Sequence, residues 1–129
     1  MAVTHTTAAR NAATDAVTAL IGATGRLAFR LSGTVAAPGT TVALLTLSTT
    51  AFGAAATGTA TANAITSDTN ATGNASPVAT ATLQTSGGTV VIHCAVAASA
   101  SDINLTNGLT VAAGDTVSCS SLTYTALSA

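Results

Sequence analysis

The sequence predicts a mainly β protein: an antiparallel β-sandwich or jelly-roll-like barrel of about seven or eight strands, led by one N-terminal α-helix. Three observations predict it. Strong helix formers crowd the start of the chain and then stop. After Gly25 the apolar period changes from 3.6 to 2. From there on, Gly, Pro, Asn and Asp punctuate the chain at short intervals. The length fits a single domain, 1–129, with an N-terminal arm and helix over 1–24 and the β domain over 25–129. No long internal period repeats, which argues against a solenoid.

The helix is expected from about Thr6 to Ile21, with Thr6-Thr7 offering the N-cap and Gly22 and Gly25 the stop. Ala9, Ala13, Ala16, Val17, Leu20 and Ile21 fall on one stripe at three- and four-residue spacing. Arg10, Asn11, Asp15 and Thr18 take the other side. Two readings compete for the apolar stripe. It packs on the chain's own sandwich, or it reaches a neighbouring subunit.

The strands follow in order. Arg26 to Ser32 alternates, with Leu27, Phe29 and Leu31 opposite Arg26, Ala28 and Arg30. Gly33, Pro38 and Gly39 mark a loop. Thr41 to Ser48 is apolar on both faces, which predicts a central strand or one covered by the helix. Ala54 to Ile65 alternates Thr57, Thr59, Thr61 and Asn63 with Gly58, Ala60, Ala62 and Ala64; the interleaved β-branched Thr favours strand over helix. Ser67 to Ser76 is a polar loop. Ser76 to Gln84 and Thr89 to Ala97 form a hairpin about Gly87-Gly88. Val90, Ile92, Cys94 and Val96 share one face of it, Val91 and His93 the other. Ala98 to Asn107 is a loop with a short extended piece at Ile103 to Leu105. The last strands are Leu109 to Ala112 and Thr116 to Thr125, joined by Gly114-Asp115. Leu122 and Tyr124 are out of phase with Val117 and Cys119, so a bulge near Ser120-Ser121 is expected.

Charge is nearly absent. Charged residues are 5% of the chain, against about 25% in ordinary soluble domains. A free monomer needs such groups to keep its surface solvated and apart from its neighbours. The composition therefore favours a subunit that other subunits cover. Much of the 48% hydrophobic content is Ala, so the core is thin and oligomer contacts are its natural supplement. Arg10, Arg26 and Arg30 are too few to neutralise a nucleic-acid backbone. No apolar run is long enough to span a membrane, and no signal-peptide pattern opens the chain. The expectation is a protein that acts where it is made, with its cysteines in a reducing compartment.

Chemistry-bearing residues are sparse. Cys94 and Cys119 with His93 are the residue types of a zinc or thiol site. Adjacent residues of a strand face opposite ways, however, so His93 and Cys94 cannot share one ligand set. Two small buried thiols and a polar-face histidine are expected instead. A Cys94–Cys119 disulfide requires neighbouring strands. Asp15 is isolated, and Asp68, Asp102 and Asp115 read as turn formers and caps. The loop from Asp68 to Asn74 carries little charge for a calcium site. No nucleophile elbow or phosphate loop is present. The Asn70, Asn74 and Asn104 triplets match the glycosylation pattern, as chance allows in so Asn- and Thr-rich a chain. No catalytic, cofactor-binding or metal residue is assigned, and no enzyme is expected.

Four stretches carry a resemblance: Ala9 to Val17, Ala51-Phe52-Gly53-Ala54-Ala55, Thr61 to Ile65, and the ending from Asp102-Ile103-Asn104-Leu105 to Gly114-Asp115-Thr116-Val117-Ser118. Together they resemble a family of small proteins encoded in the head-gene region of tailed bacteriophages. The order is kept over most of the chain. The likeness departs around Val78 to Ala97, where such proteins carry more aromatic and charged residues. The resemblance implies a virion structural protein, a capsid decoration (cement) protein that sits as a homotrimer on the capsid surface and clamps adjacent major capsid subunits. It would be made in the bacterial host cytoplasm and need no cofactor, nucleic acid or membrane. Rival readings are a tail-tube, tail-terminator or fibre-type subunit, and a carbohydrate-binding module. The last is disfavoured by the shortage of aromatic rings.

Overall fold

The computed structural model describes residues 3–97, 103–104 and 108–127. Among the described residues the chain is mainly β, with one helix at its N-terminal end. The helix α1 spans Thr7–Ala19, and the Thr6 hydroxyl caps it by accepting from the Ala9 amide at 3.2 Å.

Five strands make the larger sheet, in the order β2 (Thr41–Thr46), β1 (Arg26–Arg30), β4 (Thr80–Gln84), β5 (Val90–Ala97), β6 (Ile103–Asn104). Neighbours are antiparallel except β5 and β6, which run parallel. The register puts Phe29 opposite both Ala43 and Ala81, and Leu27 opposite both Leu45 and Leu83. That row is one wall of the core. A register shift at Phe29/Arg30 leaves Val42 without its own partner in β1, and Val42 is fully buried.

β2 is not the central strand that its two-sided apolar pattern predicts. It closes one end of the sheet order, and α1 packs elsewhere. Its outer edge bonds to an irregular segment instead: Thr46 and Thr66 exchange amide–carbonyl bonds, and the Gly73 amide donates to Val42. This segment covers the edge and buries Ala71. Residues 109–117 then run beside it, through Asn74 to Val111, Val78 to Leu109, and the Asp68–Val117 bridge.

β3 (Thr59–Thr61) and β7 (Thr123–Thr125) form the second sheet. The continuous strand expected over 54–65 is broken by a tight turn. Ala56 and Thr59 exchange both backbone hydrogen bonds, and Thr57 and Gly58 between them have φ of 53° and 82°. Positive φ at both central residues marks a type I′ hairpin turn, and Gly meets the requirement without strain.

The bulge expected near Ser120-Ser121 is absent. The chain leaves its bridge to Asp68 at Val117 and joins β3 at Thr123. The phase change between Cys119 and Leu122 comes from this change of partner. Residues 109–112 bond to 74–78 without forming a regular strand. Part of the expected piece at Ile103 to Leu105 is present as β6; Leu105 lies outside the described residues.

The core is one cluster. It joins Leu27, Phe29, Leu45 and Leu83 of the larger sheet to Phe52, Ala60 and Val117 of the other segments, with Ile21 closing it after the helix. At Gly25 the chain crosses so closely that a Cβ would collide with Ile21 Cγ2 and lie 2.8 Å from the Gln84 carbonyl oxygen. No side chain fits there.

Candidate functional site

Helix α1 docks with its polar face inward. Thr14 is fully buried, and its hydroxyl donates to the Gly58 carbonyl at 2.6 Å and accepts from the Ala126 amide at 3.1 Å. Asn11 Oδ1 accepts from the Gly58 amide at 2.7 Å, and Asp15 Oδ1 accepts from the Ala55 amide at 2.8 Å. Arg10 donates to the carbonyls of Thr57 at 3.0 Å and Leu127 at 3.1 Å. The helix thus satisfies backbone groups that the Thr57-Gly58 turn and the end of the described chain would otherwise leave open.

The consequence lies on the other face. From Ala8 to Leu20 the exposed residues are Ala8, Ala9, Ala12, Ala16, Ala19 and Leu20, with no charge among them. Leu20 is 66% exposed, and Val3, preceding the helix, is 75% exposed. Of the apolar stripe read from the sequence, only Ile21 is buried outright; Ala13 and Val17 are half-buried. The helix is inverted relative to the usual rule for a surface helix, polar inside and apolar outside.

A second polar cluster lies on the larger sheet, on the face away from Phe29. Arg30 is 9% exposed. Its guanidinium donates to Thr82 Oγ1 at 3.1 Å, Gln84 Oε1 at 2.8 Å, Thr41 Oγ1 at 2.9 Å and the Gly39 carbonyl at 2.7 Å. Thr82 also donates to Gln84 Oε1 at 2.8 Å. All of these acceptors are neutral. Burial pushes the Arg30 guanidinium below its ordinary value. The group bridges β2, β1 and β4, and only short side chains leave room for it: Ala28 and Thr82 are both fully buried. Nothing in the strand pattern around Arg30 signals this cluster, because its partners are distant in sequence.

The residues with candidate chemistry do not converge. His93 pairs with Thr82 and Cys94 with Ala81, on opposite faces of β5 as strand alternation requires. The Nε2 of His93 is buried without a hydrogen-bond partner. Cys94 and Cys119 are not joined in a disulfide, and Cys119 is half-buried, its thiol donating to the Ser121 carbonyl at 3.3 Å. Burial pushes the Cys119 thiol above its ordinary value. Asp68 accepts from the Asn70 and Leu44 amides, and Asp115 from the Ala112 amide, so both brace turns as expected. Asp102 lies outside the described residues. Among the described residues no group of three His, Cys, Asp or Glu could hold a metal, and no helix is long and apolar enough to cross a membrane.

No protein-family model, curated protein or solved structure matches this chain.

Proposed function

We propose that this chain is a virion structural protein, a capsid decoration (cement) protein that oligomerises on the head and clamps adjacent major capsid subunits. The observation that carries the reading is the inverted helix. An uncharged outer face of Ala and Leu20, held rigidly from behind by Arg10, Asn11, Thr14 and Asp15, suits contact with a close-packed neighbour better than contact with water. The scarcity of charged residues across the whole chain points the same way, since water-facing surfaces are ordinarily charged. The resemblance to head-region proteins supplies the setting.

In this role the chain acts mechanically and catalyses nothing. Each contact excludes water with small side chains and is weak alone. Several contacts to one shell add through effective concentration, so the attached subunit resists the outward pressure of packaged DNA. Homotrimers on the outer surface fit this action.

A cryo-EM reconstruction of particles containing the chain tests the proposal. Its density should lie on the outer head surface over junctions between capsid subunits, with α1 at a contact. Density confined to the tail, or particles lacking the chain, would overturn it.

A further inference from the structure

We draw no further inference here: the strongest candidate, the apolar groove of about 300 Å³ lined by Leu83, Ile92, Cys94, Ile103, Leu122 and Tyr124 with the unpartnered Nε2 of His93 beside it, carries nothing because nothing in the structure shows what covers it.

Discussion

The helix and the larger sheet are fastened in opposite ways. The sheet holds its partners with apolar burial, through Leu27, Phe29, Leu45 and Leu83. Helix α1 is held mainly by polar side chains that reach backbone groups of the 55–58 hairpin and residues 126–127. Apolar burial has no required direction, so the sheet core tolerates reshaping of similar volume. The helix dock depends on individual hydrogen bonds, each worth about 1 kcal/mol net and more to leave unmade when buried. The comparison teaches where a thin, Ala-rich protein puts its few large side chains. They go to the sheet, and the helix is freed to turn its apolar side outward.

The largest expected effect tests the sheet half of this contrast. Phe29→Ala removes the largest fully buried side chain and should cost about 3–5 kcal/mol in chemical denaturation. A loss below about 1 kcal/mol would mean that the Phe29 row is not the main apolar wall. Next comes the polar cluster on the opposite face. Arg30→Met takes the guanidinium donor from the acceptors on Thr41, Thr82 and Gly39, and one of two donors from Gln84 Oε1, and should cost about 3 kcal/mol. Restoring stability by adding Thr82→Val and Gln84→Met together, which removes the Thr82 hydroxyl with its Gln84 acceptor, would show that unmet polar groups, not lost packing, caused the loss.

Thr14→Val keeps shape while deleting both hydroxyl bonds, and should cost about 2 kcal/mol. Its signature is regional. Hydrogen exchange should speed up at Gly58 and Ala126 while β1 and β4 keep their protection. Uniform loss of protection would erase the distinction between the two regions. The smallest effect concerns pH. The folded Cys119 thiol holds its proton more tightly than the unfolded one, so its contribution is fully present below the unfolded thiol's pKa. That contribution is lost as pH rises through the higher folded value. Stability should therefore fall over the alkaline thiol range in the native chain, and less so in Cys119→Ala; identical pH curves would contradict the burial.

Strand alternation made β1 legible in the sequence, because a half-buried pleat imprints itself at every second residue, while β2 showed as a run apolar on both faces and the β4–β5 hairpin through its Gly87-Gly88 turn. Helix extent was legible too, from Ala content and the Thr6 cap. Helix orientation was not. Ala9, Ala13 and Ala16 form a stripe by count, but an Ala methyl buries too little to win against four polar side chains with waiting backbone partners. Those partners lie about the turn at Thr57-Gly58, far along the chain and without any side-chain signature. The turn itself was hidden because a Thr/Ala alternation reads as one continuous strand. The Arg30 cluster was equally silent: Thr is too common in this chain to mark a site, and Gln84, its single Gln, lies 54 positions from Arg30 with no local pattern joining the two.

Sedimentation velocity on the native chain and on an Ala12→Glu/Ala16→Glu variant tests the inverted helix and its exposed face together. Both positions point outward, and Glu is a good helix former, so the fold should be kept. The native chain should sediment as an oligomer and the variant as a folded 12.2 kDa monomer. A native chain that stays monomeric at high concentration, or a variant that associates as before, would contradict the account.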